Sequence, residues 1–264
     1  MRAGFQTLLV ERPAEGLLVV TLDRPEVRNA LNTQMGRELR DLFVPLEFTP
    51  GDLRCIVVTG AGDKAFCAGA DLKERRGMSD DDWRAQHAIF EEGFYAVMKC
   101  PVPVIAAVNG AAYAGGCELA LACDFIHASS EARFALTEVT IGIMPGVGGT
   151  QNLPRAVGAR RAKEIMFSGE PFTAQQACDW GMVNAVHAPD ALLPAVLERA
   201  RRIASNAPIS VRQVKKAIQR GQDMDLASGL AFEIQCYERT VGTADRREGI
   251  DSFNEKRKPR FTGR

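Results

Sequence analysis

The feature that most constrains the fold is an alternation, over the first two-thirds of the chain, of short apolar runs with segments of helical period. The apolar runs, several of which end at a glycine or proline turn, are predicted strands. The amphipathic segment 33–47, with Thr33 as its expected N-cap, and the charged segment at about 80–99 are predicted helices. Strands that alternate with helices indicate an α/β architecture with crossover connections. The predicted strands are 16–25, 54–60, 101–110, 123–129 and 133–139.

From about residue 158 the sequence changes to successive segments that predict helices, and only 182–187 resembles a strand. We therefore divide the chain into an α/β core of residues 1–200 and a helical C-terminal region of residues 201–264. No linker rich in Ser, Pro or Gly separates the two parts, so we expect them to pack as one unit.

The composition argues against several classes of protein. Lys and Arg together number 33, as do Asp and Glu, so the formal net charge is zero and no overall field draws the chain to nucleic acid or membrane. No apolar run approaches the roughly 20 residues of a membrane span, and the N-terminus does not resemble a secretory signal. Seven cysteines without a close CxxC pair indicate buried, reduced thiols. These features favour a cytoplasmic globular protein.

The stretch NGAAYAGGCELALACD, residues 109–124, places two glycines and a glutamate in apolar surroundings. A helix that begins near Gly115 directs free backbone N–H groups at whatever lies before it, and glycine lets a ligand approach closely. Such a helix start suits a negative charge that develops on an oxygen atom. The alternative is that Gly115 and Gly116 only permit close helix packing, with Glu118 turned towards solvent.

A second loop, at 62–75, has a similar character. It follows a strand and places Ala68, Gly69 and Ala70 before Asp71, a good N-cap for the helix that starts with LKER. One N–H donor from each loop would make a two-donor oxyanion hole. A tight strand-to-helix turn without catalytic role is the alternative.

The same region also contains a loose match to the dinucleotide-binding fingerprint, at Gly60-x-Gly62-x-x-Ala65. A true fingerprint opens directly into a helix. Here Phe66, Cys67 and a second glycine turn intervene, so we do not expect a nucleotide site of that kind.

A third stretch, 134–155, carries Glu138 in a mostly apolar, β-branched segment ahead of a Gly/Pro loop. Burial raises the pKa of a carboxyl group, and two carboxylates in one site push their pKa values apart. Glu118 and Glu138 could therefore serve a reaction that both takes and gives a proton. A structural acid that caps the turn at 142–149 is the alternative for Glu138.

Other chemistries lack the residues that they need. His87, His127 and His187 share no metal-ligand spacing, so no metal site is expected. Cys67 and Cys117 adjoin the two loops, but no histidine is placed in sequence to activate either thiol. We interpret them as small core residues.

Taken together, these stretches resemble the enoyl-CoA hydratase/isomerase (crotonase) superfamily over almost the whole chain. The resemblance implies a spiral core of repeated ββα units and a helical C-terminal oligomerisation region that forms trimers, which pair into hexamers. The segments that carry it are 24–32, 65–74, 109–124, 137–155 and the closing 253–261.

The resemblance also implies roles for single residues. Backbone N–H groups at Ala68 and Gly115 hold the thioester oxygen of an acyl-CoA, and Glu118 and Glu138 match the two acids of the hydratases. Both acids are present, which favours hydration, since many isomerases lack one. We assign Glu118 to water activation and Glu138 to protonation of the α-carbon, although the spacing does not fix which acid does which. No cofactor is required, because coenzyme A is part of the substrate.

Further residues correspond to family positions that contact coenzyme A. Some line the coenzyme A pocket, and two near the C-terminus resemble residues that often reach across a subunit boundary. A solvated basic surface is the alternative for the C-terminal tail. The implied contact residues are Arg28, Ala30, Ala68, Gly69, Ala70, Asp71, Leu72, Phe253 and Lys256.

Within the superfamily, 68–79 and 229–261 look most like the subgroup that contains 3-methylglutaconyl-CoA hydratases. Two substrates therefore stay open, a short-chain 2-enoyl-CoA and the branched acyl-CoA of leucine degradation. The branched substrate has a distal carboxylate, for which Arg75 and Arg76 are candidate cations, although a solvated helix face explains both equally well.

Some members of that subgroup also bind AU-rich RNA through a lysine-rich first helix. The corresponding helix here has no lysine, and the first lysine of the chain is Lys64, so nucleic acid is not an expected partner. A catalytically silent scaffold is a third class, and it would bind acyl-CoA without turnover. Asn152 stands where the family more usually has arginine, which puts one local contact in question.

Overall fold

The computed structural model describes residues 4–264. Within that range the chain forms ten strands, β1 to β10, and eleven α-helices, α1 to α11, with short 3-10 helices at Pro25–Val27 and Glu138–Ile141. The strands are Leu8–Glu11, Leu17–Leu22, Cys55–Gly60, Ala65–Cys67, Val104–Val108, Ala111–Tyr113, Phe125–Ser129, Arg133–Ala135, Phe172–Thr173 and Ala185–His187. The helices are Thr33–Phe48, Leu72–Arg75, Asp80–Lys99, Gly115–Ala122, Gly149–Val157, Ala159–Ser168, Ala174–Asp179, Pro189–Ala204, Pro208–Gly221, Leu226–Val241 and Ala244–Asn254.

The strands form two sheets that the chain visits alternately. The larger sheet has the order β1-β2-β3-β5-β7-β10, and the smaller has the order β4-β6-β8-β9. From β3 to β8, each strand of the larger sheet is followed by one of the smaller sheet and then by helix, and each such unit adds one parallel strand to both sheets. The repetition of this step makes a spiral of ββα units and confirms the predicted fold.

The core lies on both faces of the larger sheet. Both β3 and β5 are buried at every position, which is why they read as continuous apolar runs. Because side chains alternate across a strand, Val58 and Ala106 join the main core with α1 and α3, while Val57 and Ile105 face the other way. Helix α8 covers that second face.

The helical C-terminal region is tied to the sheet by polar contacts. The ammonium group of Lys215 on α9 lies 2.7 Å from a carboxylate oxygen of Asp124 and donates to the carbonyl of Val102 at 3.1 Å. Arg54 donates to the carbonyls of Ala204 and Phe261, at 3.0 and 2.7 Å. No helix in residues 4–264 is both long and apolar enough to cross a membrane.

Two local predictions are wrong. Helix α1 is capped by Asn32, whose side chain accepts the N–H of Met35 at 2.9 Å, and Thr33 is already its first helical residue. The predicted strand 133–139 ends at Ala135, and a 3-10 helix follows. The β-branched residues 139–141 are exposed, so no sheet face is available to cover them and a strand gains nothing there.

Candidate active site

The start of α4 separates the roles of its two glycines. A Cβ atom on Gly116 would lie 2.1 Å from the carbonyl oxygen of Cys67, so this glycine is required for packing. A Cβ on Gly115 would meet only the Leu31 side chain at less than 3.9 Å. The N–H of Gly115 has no acceptor within residues 4–264. The packing interpretation therefore holds for Gly116, whereas Gly115 presents an accessible donor.

The residue before this helix is held in a strained conformation. Ala114 has φ of +48° and ψ of −123°, a combination that costs free energy for any residue with a Cβ atom. Its N–H donates to the carbonyl of Ala135 at 2.8 Å, and its carbonyl accepts from Glu118 at 3.0 Å. These bonds fix the direction of the first turn of α4.

The second loop pairs with the segment around Leu31. The N–H of Ala68 donates to the carbonyl of Arg28 at 3.0 Å, and Leu31 bonds Gly69 and Asp71 at 2.8 and 2.9 Å. The N–H of Ala70 has no acceptor in the described part of the chain and lies 4.0 Å from the position of a Gly115 Cβ. The prediction that Ala68 supplies an available donor is therefore wrong, because its N–H is already used, and Ala70 presents the donor beside Gly115.

The same pairing brings the predicted coenzyme A segments together. Arg28 adopts a left-handed conformation with φ of +55°, and the parallel bridge between Leu31 and Ala70 sets segment 28–31 beside segment 68–72. Arg24 crosses between them, since it donates to the carbonyl of Ala30 at 2.6 Å and to Asp71 at 3.1 Å. Asp71 caps α2 as predicted.

The two C-terminal candidates lie elsewhere on the chain. Phe253, near the end of α11, is 83% exposed, and Lys256 is exposed in a left-handed conformation with φ of +57°. The neighbouring Arg257 pairs with Glu248 and Glu255 inside the same C-terminal segment. Both candidates therefore remain available to another molecule.

Glu118 is buried, and its carboxylate is held by the loop before α5. Its Oε1 accepts the N–H of Val147 at 2.9 Å and that of Gly149 at 2.8 Å. Burial raises the pKa of Glu118, and the two N–H bonds lower it in part. A Cβ on Gly149 would lie 2.9 Å from Oε1, so only glycine permits this approach. The alternative of a solvated Glu118 is wrong.

Glu138 is buried in a different manner. It opens the 3-10 helix, and neither carboxylate oxygen has a hydrogen-bond partner within residues 4–264. Burial, together with a smaller effect of the charge of Glu118, raises the pKa of Glu138 to about 7. Because no N–H of 142–149 reaches these oxygens, the interpretation of Glu138 as a structural cap is wrong. Near neutral pH this group carries a proton much of the time.

The structure also shows the surroundings of other residues that the sequence singled out. Strand β3 ends at Gly60 and is followed by strand β4, which confirms that the glycine pattern there is not a dinucleotide fingerprint. Burial raises the pKa of Cys67 to about 12 and that of Cys117 well above its usual value, so both thiols stay protonated. Arg75 is buried, bonds Gln86 at 2.7 Å and stacks on Trp83, while Arg76 is exposed.

Sequence spacing missed one contact between histidines. Strands β7 and β10 are parallel neighbours, which brings Nδ1 of His127 to 3.1 Å from Nε2 of His187. Sixty residues separate the two, so only the sheet order could have revealed the pair. No group of three or more potential metal ligands occurs among the described residues.

The chain is similar to solved enoyl-CoA hydratases over nearly its whole length. In the solved enoyl-CoA hydratase of Bacillus anthracis, 42% of the residues are identical, the TM-score is 0.96, and 98% of this chain and all of that chain are covered. The solved DspI of Pseudomonas aeruginosa is 32% identical with a TM-score of 0.93, over 99% of this chain and 100% of that chain. The fold is therefore that of the crotonases.

At the sequence level, the profile of the family described as "Enoyl-CoA hydratase/isomerase" matches residues 12–264. The putative enoyl-CoA hydratase/isomerase YngF of Bacillus subtilis is 45% identical over 94% of this chain and 95% of its own length. The short-chain-enoyl-CoA hydratase of Clostridium acetobutylicum is 40% identical over 91% and 92%. The chain belongs to the enoyl-CoA hydratase/isomerase family and is an enzyme of that kind.

Proposed function

We propose that the protein adds water across the 2,3 double bond of a short-chain 2-enoyl-CoA thioester to give a 3-hydroxyacyl-CoA. The observation that carries the proposal is the contrast between two buried carboxylates, near two backbone N–H groups that have no acceptor within residues 4–264. One carboxylate accepts two N–H bonds, and the other has no hydrogen-bond partner in the same range. The Clostridium acetobutylicum relative, called a short-chain-enoyl-CoA hydratase, and the crotonyl-CoA hydratase of Syntrophomonas wolfei, 38% identical over 98% of both chains, support the proposal.

The proposed oxyanion hole consists of the N–H groups of Ala70 and Gly115. As water attacks the β-carbon, negative charge moves to the thioester oxygen, and donors that are already fixed stabilise it without reorganisation. A saturated acyl-CoA should occupy the same donors without reacting. We therefore expect it to move the amide proton resonances of Ala70 and Gly115 downfield, and to leave that of Ala68 nearly unchanged because the Arg28 carbonyl already occupies it.

The proposed proton transfers follow from the two environments. Glu118, whose ionised form is stabilised by two N–H bonds, removes a proton from the water as its oxygen bonds to the β-carbon. Glu138, whose pKa of about 7 keeps a proton available, donates that proton to the α-carbon. Glu118 thereby becomes neutral and Glu138 becomes ionised, and proton exchange with solvent restores the starting state. No further cofactor is needed, since coenzyme A belongs to the substrate.

A short acyl chain fits the structure better than 3-methylglutaconyl-CoA. The distal carboxylate of the branched substrate needs a cation. Of the two candidates, Arg75 is buried and engaged with Gln86 and Trp83, and Arg76 lies exposed on the surface rather than in a pocket. We propose that segments 28–30 and 68–72 bind coenzyme A, with Phe253 and Lys256 contributing from a neighbouring subunit of a homo-oligomer.

The test is the loss of absorbance of the conjugated thioester, with crotonyl-CoA and 3-methylglutaconyl-CoA offered in parallel. We expect hydration of crotonyl-CoA and a fall in kcat of at least about 100-fold in Glu118→Gln and Glu138→Gln, the usual range for a lost general acid or base. A preference for 3-methylglutaconyl-CoA would show that the branched acyl-CoA is the substrate. Binding of both esters without turnover would contradict hydration.

A further inference from the structure

The loop that holds Glu118 packs against side chains of α3. A Cβ atom on Gly146 would lie 2.6 Å from Cε1 and 2.9 Å from Nε2 of His87, so the imidazole ring packs directly against the backbone of Gly146. The three atoms nearest to that Cβ position all belong to His87. The ring is itself held by Glu91, one turn further along α3, whose Oε1 lies 3.2 Å from Nε2.

A second contact supports the same loop. Met98, also on α3, accepts a hydrogen bond at its Sδ from the Asn152 side chain at 3.3 Å. The Nδ2 atom of Asn152 lies 3.0 Å from the position of a Gly148 Cβ, and Cε of Met98 lies 3.7 Å from it. This contact involves Asn152, the residue at which the sequence departs from the usual family pattern.

Gly146 is adjacent to the atoms that matter for Glu118. The next residue, Val147, donates its N–H to Oε1 of Glu118, and Gly149 donates two residues later. Both bonds depend on the position of the loop backbone, because neither donor is a side chain that can adjust. A small displacement of Gly146 therefore weakens the bonds that favour the ionised form of Glu118.

We propose that His87 is a positioning residue for the reaction: its ring fixes Gly146 so that the N–H groups of Val147 and Gly149 point at Glu118. The role assigned to Glu118 rests on the proposed function, but the effect of His87 on the loop does not. His87 acts through the backbone and needs no contact with substrate.

The direct test is the pKa of the Glu118 carboxyl group in the full-length protein. It is followed by carbon-13 NMR of glutamate-labelled protein, with the resonance assigned through Glu118→Gln. In His87→Ala we expect this pKa to rise by about 0.5 to 1 unit, since part of two charge-assisted bonds is lost. His87→Phe keeps a ring against Gly146 and removes the titratable group. Because the packing is retained, the pKa of Glu118 should lie within about 0.3 unit of the wild-type value. An unchanged pKa in His87→Ala overturns the proposal.

The phenylalanine variant also separates packing from charge. Glu138 is an acid whose charge couples to that of Glu118, while His87 contacts the loop at Gly146 and pairs with Glu91. If both His87→Ala and His87→Phe raise the pKa equally, the imidazole acts through its charge and the positioning role is wrong.

A double substitution tests the contact itself. Gly146→Ala introduces a Cβ whose three nearest neighbours are atoms of the His87 ring, so we expect kcat for crotonyl-CoA to fall about tenfold. In Gly146→Ala combined with His87→Ala, the space is restored and kcat should recover at least threefold relative to Gly146→Ala alone. KM should change less than kcat in His87→Ala. Strictly additive losses in the double variant would contradict the contact.

A matched control lies on the same helix. Arg84 is exposed and, among residues 4–264, forms ion pairs with Asp80 and Asp81 only, so we expect Arg84→Ala to leave kcat and the pKa of Glu118 unchanged. A wild-type protein without hydratase activity would overturn the proposed function, while the NMR titration would still decide the role of His87.

Discussion

Glycine occupies two neighbouring positions at the start of α4 for different physical reasons. Gly116 faces the backbone oxygen of Cys67, which cannot move aside, whereas Gly115 faces the flexible end of the Leu31 side chain. One sequence motif therefore contains both a packing requirement and an accessible backbone donor.

We expect this difference in stability measurements. Gly116→Ala should lower the free energy of unfolding by about 2 kcal/mol or more, because the new Cβ overlaps the Cys67 carbonyl. Gly115→Ala should lower it by less than about 1 kcal/mol, since alanine also favours the helix. Urea denaturation of both variants measures the difference, and equal losses would contradict the separation of roles.

The burial of Glu138 leads to a second prediction, which concerns how the free energy of unfolding depends on pH. Its folded-state pKa of about 7 lies above the usual 4.5, so the folded protein binds a proton more tightly than the unfolded chain. Its contribution to stability is present below pH 4.5 and is lost as the pH rises to about 7. Glu138→Gln, which stays neutral, should therefore stabilise the protein relative to wild type by about 1–3 kcal/mol more at pH 8 than at pH 4.5.

Urea denaturation at the two pH values gives the required difference, and titrating groups that do not interact with Glu138 cancel between variant and wild type. A gap that stays constant with pH would show that Glu138 is ionised in the folded protein.

Sequence patterns pointed to the two buried carboxylates but placed one of the two available N–H groups at the wrong residue. Glu118 and Glu138 stand out because a charge in apolar surroundings is unusual in any sequence. The choice between Ala68 and Ala70 depends on which N–H bonds segment 28–31, a partner about 40 residues earlier. Since local sequence does not encode that pairing, the sequence prediction placed the donor two residues too early.

At the scale of elements, burial explains which predictions were correct. Strands β3 and β5 are buried on both faces and give clear apolar runs, so they were predicted. Strands β4, β6 and β9 have two or three residues each, too few for a period to appear, and they form because neighbouring strands pair, whereas β8 was predicted but with four residues too many. Helices depend on longer patterns, which is why Asp80–Lys99 and the C-terminal helices matched.

The contact of α9 with the larger sheet leads to a third prediction, on the stability of variants at Lys215 and Asp124. Lys215 is buried beside Asp124, so Lys215→Met should leave an unpaired carboxylate and lower the free energy of unfolding by about 3 kcal/mol. Asn in place of Asp124 can still accept the N–H of Val104, so Lys215→Met combined with Asp124→Asn should lose at least about 1 kcal/mol less than the single variant. Thermal and urea denaturation measure both, and a larger loss in the double variant would contradict the pairing.

At the scale of the whole molecule, α10 carries an apolar stripe on its exposed face. Its members are spaced by three or four residues, which sets them on one side of the helix. A stripe of this kind on a surface helix is typical of a protein–protein interface. The exposed members are Leu226, Leu230, Ile234, Tyr237 and Val241.

We therefore predict a homo-oligomer whose assembly depends on α10, and the family resemblance implies a trimer or a pair of trimers. Leu230→Glu combined with Ile234→Glu should reduce the mass measured by sedimentation to that of the monomer, because burial of two carboxylates is unfavourable. Glu233→Gln, a neutral change on the same helix, is the control and should keep the mass. A wild-type mass of about 29 kDa would contradict the prediction.

The spiral also distributes the site among its repeats. Ala70 follows the smaller-sheet strand of one unit, Gly115 and Glu118 follow that of the next, and Glu138 follows that of the third. The proposed donors and acids therefore come from three successive units, each time from the segment that follows the smaller-sheet strand. Evolution or design can exchange the acid or the donor of one unit while the others stay intact, so a single scaffold can acquire new reactions one step at a time.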